Sequence, residues 1–168
     1  MGKLSRLIFI VFLLSGIRCG AQQISGRVVH VHDGDSFTII GCDSITHKVR
    51  LWGVDAPELK QPGGIKSLNM TNACIGGRMV KLEVLGHEKY GRLLALVHVE
   101  DGPYKGVMLN EVLINSGYAW VYFPQQNAKY TTTVSDFRRI ELDAQHYKRG
   151  IWNYPNNTPP WEYRKNKR

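Results

Sequence analysis

Gly26-Arg27-Val28-Val29-His30-Val31-His32, then Asp33-Gly34-Asp35-Ser36, then Phe37-Thr38-Ile39-Ile40: this stretch sets the reading of the fold. From Gln23 to His32 the residues alternate, with Val29 and Val31 on one side and Val28, His30 and His32 on the other. That is a strand pattern, and Phe37–Ile40 resumes it after the acidic turn. Gly41-Cys42-Asp43-Ser44 is a second turn cluster. His47 to Val54 then reads as a third strand, stopped at Ala56-Pro57 because proline restricts the residue before it and lacks a donor.

Beyond this core, Ile65 to Ile75 reads as a short helix ended by Gly76-Gly77. Met79–Val84 and Arg92–Val99 read as the fourth and fifth strands. Met108, Leu109, Val112 and Leu113 repeat at helical spacing, with Gly117 placed to cap them. Val134, Phe137, Ile140, Ala144, Tyr147 and Ile151 recur every three or four residues, predicting an amphipathic last helix. The segment from Asn153 is rich in Pro and Asn, then basic, and reads as extended. The predicted class is α+β, mainly β: a five-stranded OB-fold barrel with about three helices.

At the amino end, Lys3 and Arg6 precede the apolar run Leu7–Leu14 and the small, polar Ser15–Ala21. This is the order of a secretory signal peptide, and the run falls short of the ~20 residues of a spanning helix. An uncleaved anchor is the other reading. The expected organisation is a signal peptide at 1–21, one domain at 22–154 and a basic tail at 155–168. Loss of residues 1–21 takes three cations from a net charge of +8, leaving +5. A basic chain suits a polyanionic partner without establishing one. Of the cysteines left, Cys42 and Cys74 either form one disulfide or stay as two structural thiols.

The chemistry sits in short acidic and arginine-bearing stretches. Asp33-Gly34-Asp35 by itself is an ordinary hairpin turn, and a strand arginine such as Arg50 ordinarily faces solvent. Asp55-Ala56-Pro57-Glu58 adds two acids at a strand end, and Lys89-Tyr90-Gly91-Arg92 adds a second arginine beside an aromatic ring. Metal plus phosphate explains the combination. Calcium takes 6–8 oxygen ligands, largely carboxylates, carbonyls and water. Arginine grips two phosphate oxygens and stays protonated. His30 and His32 share a face but lack a third ligand, and His87-Glu88 begins a zinc motif that Gly91 breaks.

From Gly26 to Trp152 the chain resembles staphylococcal nuclease, through Asp33-Gly34-Asp35-Ser36, Arg50 to Glu58, Tyr90-Gly91-Arg92, Leu109-Asn110-Glu111 and Gly150-Ile151-Trp152. The resemblance implies an OB-fold enzyme that hydrolyses DNA and RNA with Ca2+ and leaves 3′-phosphate ends. It implies Asp35, Asp55 and the Ala56 carbonyl as metal ligands, with Asp33 supporting them. Glu58 would orient the attacking water, Arg50 and Arg92 would clamp the reacting phosphate, and Lys89 and Tyr90 would meet a neighbouring phosphate. Strict alternation puts Arg50 and Asp55 on opposite faces, so the resemblance also implies a bend between them. Ser36 stands where threonine is usual, Glu88 replaces a frequent aspartate at a position expected to be peripheral, and the Leu59–Ser67 loop is short. The expected protein is a secreted or periplasmic monomer, off the membrane after signal cleavage. The competing reading is an OB-fold module that binds nucleic acid without cutting it.

Overall fold

The computed structural model describes residues 21–88, 91–123, 130–155 and 157–167. The expected signal peptide, apart from Ala21, lies outside them, as do Lys89 and Tyr90. Five strands close a barrel in the order β1 (Gln22–Val31), β2 (Ser36–Gly41), β3 (Thr46–Leu51), β6 (Leu93–Val99), β5 (Met79–His87), with β5 returning to β1. Only the β3–β6 pairing is parallel. Short strands β4 (Val54–Asp55) and β7 (Trp120–Val121) pair outside the barrel. Helices α1 (Gly64–Ile75), α2 (Leu109–Asn115), α3 (Thr131–His146) and α4 (Pro160–Lys165) pack around it, with a 3-10 turn at Gly150–Asn153. The expected OB-fold barrel is therefore present.

The barrel interior follows from alternation. Phe37, Ile39, Val49, Val80, Leu82, Ala95 and Val97 are fully buried. Each large aliphatic or aromatic side chain buried this way stabilises the fold by about 1.5–3 kcal/mol. Leu109, Leu113 and Ile114 of α2 and Phe137 of α3 close one end of the same core. β1 departs from simple alternation. A bulge between Val28 and His30 buries Val28 and turns Val29 out to 51% exposure. The His30 and His32 rings, 4.5 Å apart, share the outer side, whereas Val28, which alternation places with them, is buried.

Three sequence expectations change. The third strand does not run to Val54. It stops at Leu51, and Gly53 adopts a left-handed φ of 75°, where a Cβ would stand 2.6 Å from the Phe123 ring. Only glycine fits both that backbone and that space. The last helix ends at His146 rather than continuing to Ile151. Lys148 (φ 50°) and Gly150 (φ 53°) are left-handed and break it, so the 3-10 turn delivers Ile151 to the core while Tyr147 stays 64% exposed. The tail, expected to be extended, contains α4, which begins at Pro160, a helix-compatible first position. Cys42 is exposed and Cys74 buried, both as free thiols, and burial raises the Cys74 thiol to about 11.

Two polar groups fasten the frame, Asn110 buried and Glu141 half-buried. Asn110 accepts from the Val97 amide (3.0 Å) and donates to the carbonyls of Trp52 (2.9 Å) and Ala95 (3.4 Å). It thereby ties the start of α2 to the point where β3 ends. Asn110→Ala strands these groups without water and should cost roughly 2–4 kcal/mol of stability in urea denaturation. Glu141 of α3 accepts from the Val121 amide at 2.7 Å, anchoring β7. Burial raises its carboxyl above the usual range, against the Val121 hydrogen bond and Arg138. A carboxyl with a raised folded pKa favours the fold at low pH and loses that contribution as pH rises through the folded value. Glu141→Gln keeps an acceptor for Val121 and removes the charge. It should unfold at equal or higher urea concentration at neutral pH, the gap closing as pH falls through the carboxylate range.

Candidate active site

The site begins with a loop that organises itself. Between β1 and β2, Asp33 Oδ1 accepts from the amides of Asp35 (3.0 Å) and Ser36 (2.7 Å) and from the Ser36 hydroxyl (2.7 Å). This Asx-type turn fixes where Asp35 points. The hydroxyl that serine retains is used here. Helix α1 seats the loop from below: Thr71 Oγ1 donates to the Gly34 carbonyl at 2.6 Å. A Cβ on Gly34 would collide with the Ser67 side chain and lie 2.6 Å from Ala56 Cβ. The glycine therefore permits three segments to meet.

The second acid-bearing stretch arrives through the Trp52–Gly53 corner. Ser36 faces Arg50 across the β2–β3 ladder, and the Leu51 amide donates to the Asp35 carbonyl at 2.9 Å. After the corner, Val54 and Asp55 pair with Val121 and Trp120. The Tyr122 amide donates to the Gly53 carbonyl at 3.0 Å. Trp52 packs beside Phe123, with centroids 4.9 Å apart. The change of direction returns Asp55 to Arg50. The sequence implied such a bend only by resemblance, and the glycine corner supplies it.

Asp35 and Asp55 are 1% and 0% exposed. Two bare carboxylates at that depth would be prohibitively costly. Arg50 answers both: one terminal nitrogen pairs with Asp35 Oδ1, and Nη2 donates to Asp55 Oδ1 at 2.7 Å. The Ala56 amide donates to Asp35 Oδ2 at 2.5 Å, joining the two acidic stretches directly. Glu58 lies at the rim, its amide bonded to Gln61 Oε1 at 3.2 Å. A cleft of about 460 Å³ opens beside it, lined by Asp33, Glu58, Leu59, Lys60, Tyr163, Arg164 and Lys167.

Asp33, Asp35, Arg50, Asp55, Ala56 and Glu58 thus gather in one region through these contacts. Arg92 is engaged elsewhere: its Nε and Nη2 donate to Glu88 Oε2, both at 2.6 Å. Glu88, expected to be peripheral, is the partner of a predicted site arginine. Sequence reasoning missed Arg164. Its guanidinium donates to Asp55 Oδ1 (3.2 Å) and Oδ2 (2.7 Å) and to Glu58 Oε1 (2.8 Å). The hydrogen bond to Asp55, then that to Glu58, outweighs burial and raises its pKa above the ordinary arginine value. A basic tail gives no local signal that one of its cations returns across more than a hundred residues.

Among the described residues, no three His, Cys, Asp or Glu side chains stand grouped at metal-binding separation. The guanidinium of Arg50 joins Asp35 to Asp55, and that of Arg164 joins Asp55 to Glu58. The donor chemistry nevertheless suits a hard cation. All three side chains offer carboxylate oxygens, and two of them are nearly water-free, although guanidinium groups hold all three here. Calcium's tolerance of carbonyl and water ligands matches so small a protein set.

The staphylococcal nuclease homologue family profile matches residues 48–154. An endonuclease of Escherichia coli O157:H7, itself uncharacterized, is 33% identical over 145 residues, covering 86% of this chain and 88% of its own. A second uncharacterized endonuclease, from Haemophilus influenzae, is 29% identical over 162 residues, covering 96% and 84%. A staphylococcal-like nuclease of Arabidopsis thaliana is 29% identical over 121 residues, covering 72% of this chain and 34% of its own length. The profile runs from β3 to the 3-10 turn, more than half of the chain, and the acid–arginine cluster is built on the barrel it enters: the chain belongs to the staphylococcal nuclease family.

Proposed function

We propose that this chain is a calcium-dependent nuclease of low sequence specificity, hydrolysing DNA and RNA to leave 3′-phosphate ends. The observation that carries the reading is Arg50 held across two buried carboxylates, Asp35 and Asp55, in a barrel of this family. Charge on a phosphodiester grows at its nonbridging oxygens during attack, and preorganised cations there stabilise the transition state. Arg50, 15% exposed and pinned on one side by acids, retains donors for a phosphate on the other. Arg92 joins it by exchanging Glu88 for phosphate. Glu58 orients the attacking water, whose oxygen bonds to phosphorus as the bond to the 5′-oxygen breaks and that oxygen takes up a proton.

Asp35, Asp55 and the Ala56 carbonyl would hold the calcium ion, with Asp33 fixing the loop that carries Asp35. Bound there, calcium would add positive charge at the phosphate. Lys89 and Tyr90 would contact an adjacent phosphate of the strand. The basic, signal-like leader supports a secreted or periplasmic location, and the net positive charge suits free nucleic acid as a partner; the protein would act as a monomer. Among the described residues, no helix is long and apolar enough to cross a membrane.

Cleavage of single-stranded DNA by the mature chain, with calcium and with a chelator, tests the reading. Cutting only with calcium is the expected outcome. Binding without cutting under both conditions would replace the enzyme with the non-cutting module. Arg50→Ala and Arg92→Ala should each lower kcat by at least ~10²-fold. Wild-type turnover in either variant would remove that arginine from the phosphate clamp. Substrate binding without turnover should weaken steeply with salt, because phosphate contacts release counterions.

A further inference from the structure

The tail beyond the family match, residues 155 and 157–167, is fastened beside the site by three separate contacts and one buried residue. Gln61, 5% exposed, donates to the Thr158 carbonyl at 2.5 Å while accepting from the Glu58 amide. Pro160 is buried. Trp161 stacks on Tyr122 with centroids 5.0 Å apart and planes at 23°. The Tyr163 hydroxyl donates to the Lys60 carbonyl at 3.0 Å. These contacts place α4 over the Glu58 loop, and from it Arg164 reaches inward while staying 41% exposed. Its guanidinium lies across Asp55 and Glu58, touching both oxygens of Asp55.

We propose that Arg164 is a further residue of this site, a tethered cation that occupies Asp55 and Glu58 and competes with a divalent ion for them. The inference rests on the metal-site reading given above. A carboxylate has about four lone-pair positions. Asp55 Oδ1 already receives Arg50 and Arg164, and Oδ2 receives Arg164. The one position left is on Oδ2, the oxygen that Arg164 already holds at 2.7 Å, so a divalent ion entering there meets the Arg164 guanidinium at the same atom and again at Glu58. Arg50 is 15% exposed and fixed in a strand, whereas Arg164 is 41% exposed on a six-residue helix. The more exposed cation on the shorter element is the one that yields. Coupling of this kind is reciprocal: the factor by which the docked tail weakens calcium binding is the factor by which calcium loosens the tail. A salt bridge that only staples the tail would show neither effect.

Calcium affinity measured by calorimetry, on the full mature chain without nucleic acid, tests this. Arg164→Ala should bind calcium about 10-fold more tightly than the wild type, within the usual span of such couplings. Lys165→Ala, which removes an exposed charge from the same helix, should change affinity by less than about 2-fold. In the wild type, calcium should speed chymotryptic cleavage at Trp161 and Tyr163, and potassium at equal ionic strength should not. Unchanged or weaker calcium binding in Arg164→Ala would overturn the proposal. Equal gains in the two variants would overturn it too, by tracing the effect to bulk charge. A tail whose cleavage ignores calcium would do the same. Strand cutting is scored separately: calcium–tail competition without cutting sinks the nuclease reading and leaves Arg164 in its role.

Discussion

Two carboxylates removed from water govern this structure. Asp35 and Asp55 are buried to within 1% of full burial, and the guanidinium of Arg50 spans them. A buried charge that loses its partner is costly, far more so than an exposed one. The three side chains must therefore arrive together, from the loop before β2, the end of β3 and the short strand β4 outside the barrel. Much of the local structure around them serves that requirement. Asp33 shapes the loop that aims Asp35, Gly34 lets that loop touch Ala56 and Ser67, and the Ala56 amide takes the remaining oxygen of Asp35.

The corner at Trp52–Gly53 is the mechanical counterpart of that electrostatic demand. A continuous strand would separate Arg50 and Asp55 by parity. The left-handed Gly53 breaks the strand, Asn110 holds the carbonyl of Trp52, and β7 receives Val54 and Asp55 in a new pairing. Half-buried Glu141 then fixes β7 through the Val121 amide. Helices α2 and α3 reach the site in this way without contributing a group to it. Their role is to hold the two short strands that re-aim one carboxylate.

Arginine–carboxylate pairing recurs across the site with different depth. Arg50 is deep in its pair, Arg92 rests on Glu88 about one-third exposed, and Arg164 reaches Asp55 and Glu58 from the tail. The Arg164 pair holds a cation on the acids where a hard cation is proposed to bind, and its partner Asp55 is fully buried. The Arg92–Glu88 pair is partly exposed on both sides and contributes little to folding. Exchange of Glu88 for phosphate at Arg92 therefore costs correspondingly little.

The barrel was legible from residue order because its signals are local. Alternation in β2, β5 and β6 and the apolar spacing of α2 depend on neighbours in sequence, and the buried residues follow them. The acid and arginine stretches were legible as chemistry for the same reason: several short motifs in order carry the family. The bulge at Val29, the strand break at Gly53 and the helix stop at Lys148 were not legible, since each depends on what the chain packs against. The Arg92–Glu88 pair and the return of Arg164 to Asp55 belong to tertiary structure alone. A side chain's charge is written in the sequence, but the carboxylate that receives it is chosen by the path of the folded chain. In Arg164 that choice spans 109 residues, from Asp55 to a tail whose composition announces only that it is basic.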